Sequence, residues 1–176
     1  MQEMRRKDRE LPSEQAWEVL RKSDYGFLSM IGVEGEPYCV PLSYAVEGDT
    51  VYIHTGRKGY KLDCLRKNPR ACFSAVLYHQ NVPEAFTMNF ASCIAEGSVR
   101  FVTDDAERVQ GIRAIVAKYS GQYLDTASFE KEMRGMPAVE ILALKVEEIK
   151  GRAPHKMIDF SAMMGGHPGT KETEEA

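Results

Sequence analysis

Apolar positions along this chain follow two rhythms, and the change from one to the other divides it into elements. Ser13, after Leu11-Pro12 and before Glu14, reads as the cap of a helix. Trp17 and Leu20 stand three apart on its one apolar face, and it ends near Ser23. From Tyr25 the period shortens to that of strands. Tyr25–Val33, Tyr38–Val46 and Val51–Thr55 are three successive β candidates, separated by turns at Glu34-Gly35 and Gly48-Asp49. Connections this short require antiparallel hairpins, because a parallel crossover needs about a dozen residues or more. Pro41, inside the second candidate, predicts an edge, a bulge or an interrupted ladder.

A short helix begins near Tyr60 and stops at Asn68-Pro69. Ala71–Tyr78 is a fourth strand and His79–Ala85 a polar loop holding Pro83. Phe86–Val102 is a long strand in which Gly97 marks a bend or bulge. Thr103–Ser120 is a helix capped by Thr103 or Asp104, with Val109, Ile112, Val116 and Tyr119 along one face. Gly121–Pro137 has room for another helix, and Glu140–Ile149 alternates as a closing strand. No segment repeats.

Six or so antiparallel strands with two or three helices predict a mainly β protein with peripheral helices, a small antiparallel β-barrel. Strands that come in runs disfavour a parallel nucleotide-binding fold, and neither glycine-rich phosphate motif of such folds occurs. Residues 1–164 are expected to form one domain. The small, polar, acidic stretch 165–176 is expected to be a disordered tail.

Composition narrows the setting. The 176 residues are 43% hydrophobic and 28% charged, ordinary for a soluble domain, and the net charge of −3 argues against broad binding to nucleic acid or acidic membranes. No apolar run is long enough to span a bilayer, and the charged start MQEMRRKDRE is unlike a signal peptide, so a cytoplasmic setting is expected. Cys39, Cys64, Cys72 and Cys93 form no metal-ligand spacing and are expected to be buried free thiols.

The chemistry concentrates between Val51 and Pro69. A strand ends in His54-Thr55, a glycine-flanked basic turn follows, and Lys58 and Lys61 bracket the start of the next helix. Free N–H groups there, the positive end of the helix dipole, the Thr55 hydroxyl and two ammonium groups suit an anion, a phosphate above all. An ordinary strand–turn–helix with surface lysines is the competing reading. His54 is the histidine at a strand end beside this turn; His79, His155 and His167 fall in loops or the tail. Phe86, Met88 and Phe90 alternate along a strand and suit either core packing or an apolar ligand wall.

The order of five segments resembles the FMN-binding split-barrel superfamily, which includes pyridoxamine 5′-phosphate oxidase, and within it the nitroimidazole-resistance (Nim-type) flavoproteins. They are MRRKDREL, the block from PYCVPLSYAVEGDTVYIHTGRKGYKLD to CLRKNPRACF, NVPEAFTMNFASCIAEGSVRF, the helix ending in KYSG, and LALKVEEIKGR. The resemblance implies an antiparallel split barrel and a homodimer holding FMN at its interface. It implies that Val40, Pro41, Leu42 and Ser43 flank the isoalloxazine ring, with His54 and Thr55 beside ring and phosphate. It places Lys58, Gly59, Tyr60 and Lys61 at the phosphate and Ser92 against the flavin, and gives His54 a catalytic part. Tyr60 and Ser92 depart from the oxidase branch, where arginine and glutamine are usual, and that branch's C-terminal substrate signature is missing. The function this implies is flavin-dependent reduction of small oxidised or nitroaromatic compounds. The alternatives are a flavin-storage or redox-sensing protein, or haem binding; FAD and a deazaflavin stand beside FMN as cofactors.

Overall fold

A computed structural model describes residues 1–134 and 139–154, so the expected tail and the positions of His155 and His167 lie outside the described residues. The strands are β1 (Glu10–Leu11), β2 (Gly26–Ile31), β3 (Pro37–Leu42), β4 (Ala45–Glu47), β5 (Thr50–Gly56), β6 (Arg70–Val82), β7 (Thr87–Phe101) and β8 (Val139–Arg152). The helices are α1 (Ser13–Lys22), α2 (Tyr60–Lys67), α3 (Asp105–Ser120) and α4 (Ala127–Met133). All strand pairs are antiparallel, in the order β3-β2-β6-β7-β8-β5-β4, and β1 pairs with the far end of β8.

Connectivity forces this sheet to curl. Its two edges, β3 and β4, are joined by Ser43 and Tyr44 alone. Laid flat, the first and last of these strands would be about 29 Å apart. Three residue steps from Leu42 to Ala45 span at most about 11 Å. The sheet therefore wraps until its edges face each other across a narrow split and remain unpaired: an antiparallel split β-barrel, as expected.

The single strand expected over Tyr38–Val46 is thus two strands on opposite edges. Tyr44, fully buried, sits at the break, its ring edge-on to Phe73 with centroids 4.6 Å apart and its hydroxyl donating to the Leu20 carbonyl. Pro41 lies on edge strand β3, where a missing donor is tolerated. The polar loop expected over His79–Ala85 is mostly ladder: β6 and β7 stay paired out to Val82 and Thr87, where a single turn of 3₁₀-helix at Pro83–Ala85 reverses the chain. Gly97 sits at a register shift between β7 and β8, and a Cβ there would lie 1.9 Å from the Lys145 carbonyl oxygen.

The main core, including Leu20, Leu28, Ile53, Leu62, Leu65, Phe73, Leu142 and Leu144, fills the barrel beneath α1 and α2. A second cluster, with Tyr52, Val102, Ile115 and Ile141, lies between the sheet and α3. Asp104 caps α3 by accepting from the Glu107 N–H at 2.8 Å, as expected, whereas Ser13 is the first residue of α1 and makes no cap bond. The face of α3 differs from the expected one. Gly111, Ala114 and Ile115 are buried while Val109 and Tyr119 are exposed, because the small residues let the helix approach Tyr52 and Ile141 closely. Cys64 and Cys93 are buried free thiols as expected; Cys39 is exposed and Cys72 half-buried on the outer face of the sheet.

Candidate functional site

The basic turn is built as its sequence requires. Strand β5 ends at Gly56, and Gly59, at φ 138°, turns the chain into α2 in a conformation that side chains disfavour. No side chain caps α2, so the N–H groups of its first turn keep no helical acceptor beyond those of Leu62 and Asp63, which reach the Gly59 carbonyl. Lys61 is half-buried at this end, and burial pushes its pKa down. No carboxylate among the described residues pairs with it. A cation held partly out of water at an uncapped helix start suits an anion by both charge and geometry.

Tyr60 is anchored differently. Its hydroxyl donates to the Glu36 carboxylate and accepts from the Val33 N–H at 3.0 Å, and its ring stands 5.1 Å from that of Tyr38 on β3. The hydrogen bond holds Glu36 below the usual carboxylate range and pushes the Tyr60 phenol up to about 12. Together with Lys67, which donates to the Val33 carbonyl, Tyr60 fastens α2 to the β2–β3 turn, and its hydroxyl is committed there.

Strand alternation separates two residues that the sequence places side by side. Val51 and Ile53 of β5 belong to the main core and Tyr52 to the cluster under α3. Thr55 continues the first row, on the side where α2 packs; the exposed His54 continues the second, opposite Ile141. Lys58 is exposed in the turn. On β3, Val40 and Leu42 lean on the main core, while Pro41 faces outward beside Phe27, and Ser43 is exposed in the split.

Ser92 stands apart. It pairs with Val76 and Arg152, whereas His54 pairs with Ile141 on the same strand β8. The intervening stretch of β8 is on the order of 35 Å long at the strand rise. One chain therefore brings Thr55, Lys58, Gly59, Tyr60 and Lys61 together and leaves Ser92 at the other end of the sheet. Phe86, almost fully exposed, and the exposed Met88 lie on the β6–β7 arm near Ser92, and the Arg152 guanidinium sits 5.7 Å from the Phe90 ring.

Two cavities of about 310 Å³ each are lined by other residues: one by Ser13, Trp17 and Val146–Lys150, the other by Ser29–Ile31, Arg70–Cys72 and Glu96. At the basic turn, residues 56–60 are exposed and Lys61 is half-buried. Around the second cavity the outer face of the sheet is apolar, with Phe27 38%, Ile31 44%, Val76 50% and Ile94 45% exposed.

Residues 12–153 match the family model described as pyridoxamine 5′-phosphate oxidase, which covers most of the chain. The chain belongs to that family. Among solved structures, this family member is similar to a proposed 5-nitroimidazole antibiotic resistance protein of Bacteroides thetaiotaomicron, at 23% identity and TM-score 0.69 over 81% of this chain and 84% of the other. It is similar to a conserved hypothetical protein of Mycobacterium tuberculosis, at 18% identity and TM-score 0.72 over 97% and 99%. It is also similar to an FAD- and haem-binding protein of Mycobacterium smegmatis, at 16% identity and TM-score 0.65 over 94% and 89%. At these identities the likeness is one of fold. No curated protein sequence matches the chain. Among the described residues, no helix is long and apolar enough to cross a membrane.

Sequence reasoning missed two residues beside this site. Lys118 and Tyr119, at the end of α3, reach the Ser43–Tyr44 junction across the split. The KYSG motif was their one signal, and nothing local in it says what the two side chains touch.

Proposed function

We propose that this protein binds FMN and uses it to reduce small oxidised or nitroaromatic compounds. The observation that carries the reading is Lys61, a half-buried ammonium at an uncapped helix start, with no carboxylate partner among the described residues. The residues present fit the cofactor's phosphate: Lys61, Lys58, the Thr55 hydroxyl and the first N–H groups of α2 would hold it. Val40–Ser43, on the edge strand that leads into the split, would flank the ring. When bound, the flavin supplies the electron chemistry; the chain supplies orientation, charge and exclusion of water.

The site is proposed to form between two copies of the chain. An apolar outer sheet face and Ser92 remote from Lys61 both fit a ligand shared across a two-fold axis. Family membership and a fold shared with a flavin-binding neighbour support the flavin as the ligand.

The purified protein is expected to show a flavin absorption spectrum, or to acquire one with added FMN, and the released chromophore to have the mass of FMN. A Soret band in its place would overturn the reading in favour of haem. Lys61→Ala removes a charge-assisted contact worth about 1.5–3 kcal/mol, so FMN affinity is expected to fall roughly 10- to 100-fold. Unchanged affinity would remove the phosphate assignment.

A further inference from the structure

Helix α2 is pinned at both ends to one residue of the β2–β3 turn. At its first residue the Tyr60 oxygen accepts the Val33 N–H at 3.0 Å; at its last the Lys67 ammonium donates to the Val33 carbonyl. Both backbone groups of Val33 are thus served by residues about 10 Å apart along the helix. The turn is closed by bonds of its own. The Gly32 N–H donates to the Glu36 carbonyl at 2.6 Å, the Gly35 N–H to the Gly32 carbonyl at 3.0 Å, and the Glu34 N–H to the Glu36 carboxylate at 3.0 Å. That same carboxylate accepts the Tyr60 proton.

Strand β3 starts at the next residue, Pro37, and the Tyr38 ring meets that of Tyr60 edge-on, at 76°. Tyr38, Val40 and Leu42 alternate along one side of β3 and lean on the main core. Tyr60 therefore lies against the row that runs on into the residues given to the flavin ring. Packing alone does not require these bonds, because Leu62, Cys64 and Leu65 already bury one face of α2. Burial is non-directional and holds the helix down, whereas hydrogen bonds are directional and set where it stops along its own axis. The link from β5 adds little, since residues 56–59 are exposed.

We propose that Tyr60 is a positioning residue that sets the span of the cofactor site, holding the start of α2 at a fixed distance from β3. This rests on the flavin reading, which gives the phosphate to Lys61 and the ring to Val40–Ser43. FMN joins ring and phosphate by a ribityl chain of limited reach, so its affinity depends on the distance between the two subsites. Riboflavin and inorganic phosphate each use one subsite and are indifferent to that distance. Joining the two gives the phosphate an effective concentration at its subsite, the product of the separate dissociation constants divided by that of FMN. A tied helix start raises this concentration and a loose one lowers it.

The test measures dissociation constants of FMN, riboflavin and inorganic phosphate for wild type, Tyr60→Phe, Glu36→Ala and the double variant. Tyr60→Phe keeps a ring against Tyr38 and removes the hydroxyl ties. It is expected to weaken FMN about fivefold and to leave riboflavin and phosphate unchanged. Glu36→Ala is expected to show the same pattern, with no further loss in the Tyr60→Phe background, because both act through one bond. Unchanged FMN affinity in Tyr60→Phe overturns the proposal. So does a loss for riboflavin or phosphate that matches the loss for FMN, since Tyr60 then acts on one subsite or on the fold. Should Tyr60→Phe not fold, Glu36→Ala decides by the same comparison. A wild-type protein that binds no FMN overturns the flavin reading and takes the proposal with it. Wild-type binding of FMN beside a Tyr60→Phe protein of equal affinity removes the Tyr60 role alone.

Discussion

Lys118 makes the split sensitive to pH. Burial lowers its ammonium from an ordinary 10.5 to about 8, with Asp24 opposing that fall. Between those two values the unfolded chain keeps a proton that the folded chain has released, so the Lys118 contribution to stability rises with pH across this window. Cys93 acts in the opposite sense: burial pushes its thiol up to about 12, so the folded chain keeps a proton that the unfolded chain has lost. Comparison with Lys118→Met isolates the lysine. Urea midpoints are expected to show wild type gaining on the variant from about pH 7 to about 9.5, and a constant gap would mean the ammonium is not desolvated. His54 calls for a different measurement. Its side chain lies on the α3 side of β5, away from the turn that holds Lys61. His54→Ala is therefore expected to leave FMN affinity unchanged and to lower turnover of a nitroaromatic substrate with the flavin bound. Wild-type turnover would remove its catalytic part.

At the scale of elements, the tightest constraint is where β7 crosses β8. A methyl group on Gly97 would meet the backbone carbonyl of Lys145, which cannot move without opening the ladder. Gly97→Ala is expected to cost about 3 kcal/mol and to lower the melting temperature by about 10 °C. A melting temperature within experimental error of wild type would show that the bulge relaxes. This feature was legible in the sequence because a lone glycine in a strand pattern has a local cause. The Asp104 cap and the edge position of Pro41 were legible for the same reason. The break at Ser43–Tyr44 was not, since the strand-like texture of Tyr38–Val46 continues through it and only the pairing partner changes. Partner choice depends on chain far away in sequence. The site divides in the same way: the turn from Thr55 to Lys61 is contiguous, so its chemistry could be read directly. Tyr119 meets Tyr44 across 75 positions, beyond any local pattern. The expected face of α3 failed because Gly111 and Ala114 contribute close approach, which hydrophobic periodicity does not register.

At the scale of the molecule, the basic turn and Ser92 occupy opposite ends of one curved sheet, with an apolar outer face between β2 and β7. If a two-fold axis brings Lys61 of one copy to Ser92 of the other, each flavin site draws on both chains. Charge on the apolar face then has a joint effect. Val76, half exposed in the single chain, can become Val76→Glu with little cost to the monomer's fold. Light scattering is expected to show the variant as a monomer, and FMN affinity to fall with the loss of the dimer. A monomeric variant that keeps wild-type affinity would place the whole site in one chain. Mixing gives the sharper answer. Lys61→Ala removes the phosphate contact and Ser92→Phe blocks the far end, so each dimer alone has two damaged sites. Unfolded together in equal amounts and refolded, half of the dimers are expected to be mixed. In each mixed dimer one site carries both changes and the other carries neither, so roughly a quarter of all sites regain wild-type affinity. Were Lys61 and Ser92 of the same chain to meet one flavin, mixing would restore none.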